Sequence, residues 1–345
     1  MQTYLSGSPN QHCSSAGSPE PMAKLPEASE SFPATMDQFL SSVTRIPQAL
    51  GKTSRGVIAE ISANHLGSLE RACELIRQAK HSGASFVKFQ HYRPETISVR
   101  GDAPELTISG GTIWDGRRLW DLYEEAMTPW EWTAELDAVA TDVGIPWFST
   151  PFDETAVDFL EEFDVPLYKI ASFEIIDLPL IRHVARTQKP MIISTGMATL
   201  NEIDAAVTAA QEAGASAITL LRTNSAYPAS PTEMDLRAIP FMRNRWNLPV
   251  GLSDHTIGST SAIVATALGA QLFEKHLTIS RADGGPDAPF SAEPEELADY
   301  VSAICDAEES LGVARFGPSR TENPTLMLRP SLRAVRSIAR GEEIT

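Results

Sequence analysis

From residue 57 onward the chain alternates short apolar runs with longer stretches in which apolar residues recur at helical spacing. The short runs, at 57–62, 86–90, 146–150, 167–172, 191–195, 217–223, 249–254 and 272–276, have strand length and are mostly aliphatic or β-branched. Amphipathic stretches at 68–81, 129–142, 154–163, 200–213 and 259–268 lie between them, and Gly83, Gly144, Gly214 and Gly269 stand just past four of these. Glycine at such a place predicts a helix end, because it takes the left-handed conformation at little cost. Strand and helix in alternation predict parallel pairing through right-handed crossovers. Eight such units predict an α/β fold closed into a (β/α)8 TIM barrel. The competing open, doubly wound sheet lacks its G-x-G-x-x-G loop after the first strand.

The flanks and one connection depart from this pattern. Residues 1 to about 45 mix Ser, Pro, Ala, Gly and Glu without sustained periodicity, which predicts a mostly disordered tail with one short helix near 36–43. The expected division is an N-terminal extension over 1–50, a barrel over 51–318 and a final segment over 319–345. Residues 94–127 make an unusually long connection after the second strand and carry Trp114, Trp120 and Tyr123. A loop of that length at a barrel's active rim predicts a lid or specificity element.

Composition narrows the class further. With 345 residues, 42% of them hydrophobic, the chain can bury one large core. A formal net charge of −17 argues against nucleic-acid or anionic-membrane partners, so an anionic substrate must be met by local lysines or arginines. Cys13, Cys73 and Cys305 are odd in number and lack C-x-x-C spacing, which suggests reduced thiols rather than a disulfide framework or zinc knuckle. Neither a spanning apolar run nor a signal pattern is present, and a cytoplasmic protein is the expectation.

Polar residues collect where the strand runs give out: Glu60 and Asn64, Lys88 and Gln90, Ser149 and Thr150, Lys169, Ser172 and Glu174, Ser194 and Thr195, Thr223 and Ser225, Asp254 and His255, Glu274 and His276. Barrel interiors favour branched apolar residues, so this set predicts a polar mouth. Lys88 and Lys169 suit a phosphate and a carboxylate, and Glu174 is a candidate general base. His255 and His276 end adjacent strands, and with water and substrate oxygens they would suit Mn2+ or Mg2+. Plainer roles compete with these. Lys88 would serve as a salt-bridge partner of Glu60, Glu174 as one of Lys169, and either histidine as a structural residue. His12, His65, His81, His91 and His183 are not expected to be ligands, and the acidic stretch 293–309 is expected to be a solvated helix face.

Several blocks then resemble the sialic acid synthase family in order and spacing: Glu60-Ile-Ser-Ala-Asn64-His65-Leu-Gly67, Val87-Lys88-Phe89-Gln90, Phe148-Ser-Thr150-Pro-Phe152, Tyr168-Lys169-Ile-Ala-Ser172-Phe-Glu174, Ile193-Ser194-Thr195-Gly196-Met197, Ser225-Ala-Tyr227-Pro228, Gly251-Leu-Ser-Asp254-His255-Thr256, and Glu274-Lys-His276 followed by Gly285-Pro286-Asp287. The likeness covers roughly residues 55 to 345. Within that family, Gly110-Gly111-Thr-Ile-Trp114-Asp115 and Thr128-Pro129-Trp130-Glu131-Trp132 look like the branch that makes pseudaminic acid.

The resemblance implies condensation of phosphoenolpyruvate with 2,4-diacetamido-2,4,6-trideoxy-altrose and water, by a homodimer. N-acetylneuraminic or legionaminic acid synthesis is the runner-up. By position it implies metal ligands at His255 and His276, and phosphoenolpyruvate contacts at Lys88, Thr150, Lys169, Ser172 and Ser194. Glu174 would stand beside the reacting carbons, with Tyr227 and Asp287 near the sugar. Glu60, Asn64, Gln90, Ser225 and Asp254 complete the expected substrate-binding set. Arg222 departs from the histidine many relatives have there, and is tolerable if it faces a carboxylate. Residues 329–345 look like the linker and opening strand of the family's antifreeze-like (SAF) domain, which predicts a truncated copy. Two other readings stay open: a metal-independent Schiff-base aldolase using Lys88 or Lys169, and a degenerate copy that binds without turnover.

Overall fold

The structure, a computed structural model, describes residues 55–343; the expected tail and the helix near 36–43 lie outside them. Eight parallel strands close in chain order, with β1 hydrogen-bonded to both β2 and β8. They are β1 (Gly56–Glu60), β2 (Phe86–His91), β3 (Trp147–Pro151), β4 (Tyr168–Ile170), β5 (Met191–Ser194), β6 (Ile218–Thr223), β7 (Val250–Ser253) and β8 (Leu272–His276). Each falls within a residue or two of an apolar run, and at β4 the run ends in a turn so that only three residues pair.

Helices α1 (Leu69–His81), α2 (Leu119–Ala126), α3 (Thr133–Val143), α4 (Glu154–Glu161), α5 (Leu178–Arg186), α6 (Leu200–Glu212), α7 (Ala238–Trp246), α8 (Thr260–Ala267) and α9 (Pro294–Leu311) supply the crossovers and the outer layer. Gly144 ends α3 at φ +68°, as its place in the sequence predicts. The stretch 129–142 starts later than expected, because Trp130–Trp132 forms a 3-10 turn before α3. Buried Leu297, Tyr300 and Ile304 hold α9 down while its acids face outward.

Period-2 alternation sorts the strand side chains into two sets. Outward residues such as Val57, Val87, Ile170, Ile193, Leu252 and Phe273 join the large core against the helices. Inward Ile58, Phe86, Phe148, Leu167, Ile192, Ala217, Leu221 and Leu272 form a separate apolar floor inside the barrel. Two residues beyond that floor, at the carboxyl ends of the strands, come Glu60, Lys88, Thr150, Lys169, Ser194 and Glu274. One step of the same alternation thus changes the interior from apolar to polar.

The long connection after β2 folds rather than wanders. Thr107 and Arg118 form an antiparallel bridge, and the Asp115 carboxylate accepts hydrogen bonds from the amides of Gly110, Gly111 and Thr112 at 3.3, 2.8 and 2.9 Å. Gly110 and Gly111 have φ of +130° and +88°, which aims their amides at that one carboxylate. Beyond α9 the described residues hold one 3-10 helix, Asn323–Leu328, and no strand, so the expected opening strand is not formed among them.

Gly251 in β7 tests the closure. A Cβ there would lie 2.1 Å from the Leu272 carbonyl oxygen and 2.6 Å from Leu221 Cδ2. Gly251→Ala is expected to destabilise the barrel by roughly 3 kcal/mol, the upper range for overpacking a tight core. Denaturant unfolding checks this; an unchanged midpoint would contradict so close an approach of β7 and β8.

Candidate active site

Four buried charges occupy the polar layer. Lys88 forms an ion pair with Glu60 and lies 3.8 Å from Glu274 Oε2; Lys169 lies 3.6 Å from the same oxygen. Lys88 Nζ also donates to Thr150 Oγ1 at 3.1 Å, and Ser253 Oγ donates to Glu274 Oε1 at 3.1 Å. Ser62 holds Glu60 from the β1 loop, through its amide and hydroxyl, both at 2.7 Å. Burial pulls Lys88 down to about 7, with Lys169 adding to the effect and Glu274 opposing it. Lys169 is lowered by burial as well. Glu274 stays below the usual carboxylate range because the two lysines outweigh its own burial. Two ammonium groups face two carboxylates here, Glu60 on Lys88 alone and Glu274 within reach of both lysines, so the buried layer is balanced in charge.

The two histidines sit on the rim above this layer with ring centroids 5.4 Å apart. Burial lowers His255 to about 4 and His276 well below its ordinary value, so both rings are neutral near pH 7. The Asn224 carbonyl oxygen lies 2.7 Å from His255 Nδ1, placing the proton there and leaving Nε2 with its lone pair. His276 Nδ1 is buried with no hydrogen-bond partner. Neutral imidazoles with a fixed tautomer and an orphaned nitrogen fit a metal site. No cluster of three His, Cys, Asp or Glu donors is present among the described residues, so an ion here would need water or substrate oxygens as well.

Further unpartnered atoms border the mouth: Glu174 Oε2, Ser194 Oγ and Ser225 Oγ are buried without a hydrogen bond. Such groups are rare unless a ligand or water completes them. Burial raises the Glu174 carboxyl to about 7. Gly196, at φ +42°, brings β5's loop against Ser172 and Ser225, and a Cβ there would lie 2.8 Å from one hydroxyl and 2.9 Å from the other. Asp287 accepts from the Ala63 amide at 3.2 Å, and burial lifts its carboxyl to about 6. Tyr227 packs 4.4 Å from the His255 ring, with Phe290 4.9 Å from His276.

Most expected site residues therefore converge, while Asp254 turns away from the mouth and Asn64 is engaged in a brace. Asp254 points outward: its Oδ1 accepts from the Thr256 amide and hydroxyl, and its Oδ2 lies 3.6 Å from Lys275, also on the outer face. Alternation decides this, since Ser253 and His255 take the inward positions. Asn64 braces the loop, its amide donating to Leu277 O at 2.9 Å and Ser291 Oγ at 2.8 Å, while its Oδ1 is buried without a hydrogen bond. Gln90 stays at the mouth, donating to Ser62 Oγ at 2.8 Å. Of the plainer readings, the Lys88–Glu60 pair exists, whereas Lys169 pairs with Glu274 and not with Glu174. Arg222 faces Asp235 at 3.7 Å, as a cation there requires. His91 is a structural histidine, held between Ser149 and Thr133 hydroxyls at 2.7 and 2.9 Å. Glu274 was expected in the polar mouth but given no role, and its place two positions before His276 was the signal for one.

A closed barrel whose carboxyl-end mouth gathers lysines, carboxylates and neutral imidazoles defines a TIM-barrel enzyme. Comparison with known proteins is more specific. The profile of the NeuB family matches residues 75–315. Pseudaminic acid synthase of Campylobacter jejuni is 38% identical over 286 residues, 83% of each chain. That of Helicobacter pylori is 40% identical over 291 residues, covering 84% of this chain and 85% of the other. The crystal structure of N-acetylneuraminic acid (sialic acid) synthetase from Leptospira borgpetersenii superposes with a TM-score of 0.70 at 30% identity, over 82% of this chain and 93% of that one. The chain belongs to the NeuB family, which bears out the resemblance to sialic acid synthases.

Removing one charge from the buried set should be costly. Lys88→Met is expected to destabilise the protein by roughly 3–5 kcal/mol, because it strands the Glu60 carboxylate in the core. Glu60→Gln added to Lys88→Met should restore part of that loss in denaturant unfolding. A single variant as stable as the parent would show that the pair is not held out of water.

Proposed function

We propose that this protein condenses phosphoenolpyruvate with 2,4-diacetamido-2,4,6-trideoxy-altrose and water, giving pseudaminic acid and phosphate. The observation that carries the reading is Glu274 standing between Lys88 and Lys169, two residues from His276, in a chain similar to synthases named for that product. Lys88 and Lys169, with Thr150, Ser172 and Ser194, would hold the phosphate and carboxylate of phosphoenolpyruvate. His255 and His276 would hold a divalent ion, Mn2+ or Mg2+, which supplies Lewis-acid polarisation of the open-chain sugar's aldehyde.

The chain's own groups account for the remaining work. The lysines orient the enol so that its C3 forms a bond to the aldehyde carbon, whose oxygen gains a proton. Glu174 takes a proton from the water that adds at C2, which balances the proton gained by the aldehyde oxygen, and the tetrahedral carbon breaks its C–O bond to phosphate as C2 becomes the ketone and its hydroxyl proton leaves with the phosphate. Tyr227 and Asp287 line the sugar side. The aromatic mouth excludes bulk water, which strengthens each charge interaction. The use of phosphoenolpyruvate favours action in the cytoplasm, and the family resemblance favours a homodimer.

Incubation of the protein with Mn2+, phosphoenolpyruvate and the altrose derivative should release phosphate and yield a nonulosonic acid by mass spectrometry. Product from N-acetylmannosamine or the legionaminic precursor alone would move the assignment within the family. No product from any of them would reject it, and a borohydride-trapped lysine adduct with activity surviving EDTA would point to a Schiff-base aldolase instead.

The pH profile gives a separate check. Glu174 becomes a base as pH rises through about 7, while Lys88 loses its charge over the same range, so kcat/KM should follow a narrow bell near neutrality. Glu174→Gln should lower kcat by roughly 10²–10⁴ and remove the acidic limb. An intact acidic limb in that variant would assign the base elsewhere.

A further inference from the structure

The hairpin in the long β2 connection places one side chain at the mouth. Trp114 packs 5.3 Å from the Tyr227 ring and 6.2 Å from Phe290, edge-on to the latter. Its indole N–H donates to the Pro286 carbonyl oxygen at 2.8 Å. Asp115, the next residue, gathers the hairpin's amides and fixes the tip that carries the indole. Tyr227 and Phe290 in turn flank the histidines, at 4.4 Å from His255 and 4.9 Å from His276. The three rings form an aromatic wall that leads outward from the imidazoles, with Trp114 as its outermost member.

We infer that Trp114 is a specificity-determining residue that selects a sugar with an apolar terminus, a 6-deoxy sugar, over its C6-hydroxylated analogue. The inference rests on the substrate reading above. With the aldehyde carbon at the imidazoles, five C–C bonds of roughly 1.5 Å carry C6 about 6 Å outward in an extended chain. Tyr227 and Phe290 adjoin the imidazoles and Trp114 is the next ring beyond them, so the far end of such a chain runs along this wall toward Trp114. A methyl group there loses water against aromatic surface, which is favourable. A hydroxymethyl group would bring its hydroxyl against Trp114 and Phe290, and the one polar atom of that pair, the indole N–H, is already committed to Pro286. The same hydrogen bond joins the hairpin to the loop bearing Asp287, so the wall and the sugar-side carboxylate are positioned together.

An apolar pocket rejects an added hydroxyl only moderately, by up to roughly 10²-fold. Wild type should therefore prefer the 6-deoxy sugar by about 10- to 100-fold in kcat/KM. Trp114→Ala should lose most of that preference and raise KM for the sugar, with KM for phosphoenolpyruvate within about twofold of wild type. Trp114→Phe keeps an aromatic face but no N–H, and should retain most of the preference. Unchanged selectivity in Trp114→Ala, or an equal rise in KM for both substrates, would overturn the inference and leave the synthase reading standing. Wild type that turns over neither sugar would remove the synthase reading itself, and the inference with it.

Discussion

Lys88 and Lys169 set against Glu60 and Glu274, inside a closed barrel, are the constraint on which the rest of this structure depends. Charges removed from water are tolerated only when each has a partner in good geometry. The barrel meets that condition by letting neighbouring strands contribute opposite signs at one level: Glu60 from β1 meets Lys88 from β2, and Glu274 from β8 reaches both lysines. Below them the apolar floor closes the interior, and above them the imidazoles and aromatic rings narrow the mouth. The four charges are thereby paired, while other polar atoms at the same mouth are not. Burial lowers both lysines, and the orphaned atoms of Glu174, Ser194 and His276 await partners, so an anion arriving beside them would favour the charged ammonium forms and complete the mouth.

The fold was legible because period and order sufficed. Eight apolar runs separated by helical patterns admit few topologies, and glycines such as Gly144 marked the helix ends. The level of the site was legible too, since polar residues at the ends of otherwise apolar strands have few inexpensive explanations. Which face each residue takes was harder. Asp254 lies just past β7 and Glu274 within β8, yet one turns to Lys275 outside and the other to two lysines inside, because a shift of one position reverses the side-chain direction. Tracing the alternation back from His255 and His276 would have sorted them, since Ser253 and Glu274 lie on the histidines' side.

The contacts between loops were not legible at all. Nothing in the spacing of Asn64 predicts a brace to Leu277 and Ser291, more than 200 residues away, because such pairings exist only after the barrel closes. The same holds for the aromatic wall, whose members come from three separate connections. Sequence could point to the long loop as a place where selectivity is set, and closure of the fold decides which of its side chains faces the mouth.

The central claim, that this charge cluster is built to receive a compact anion, is tested most directly by calorimetric titration of phosphoenolpyruvate into the protein at pH 8 in buffers of different ionisation enthalpy. In the free protein Lys88 and Glu174 both titrate near 7, and an anion arriving beside them favours the protonated form of each. The account predicts saturable binding accompanied by net proton uptake. Absence of binding, or binding with net proton release, would contradict it.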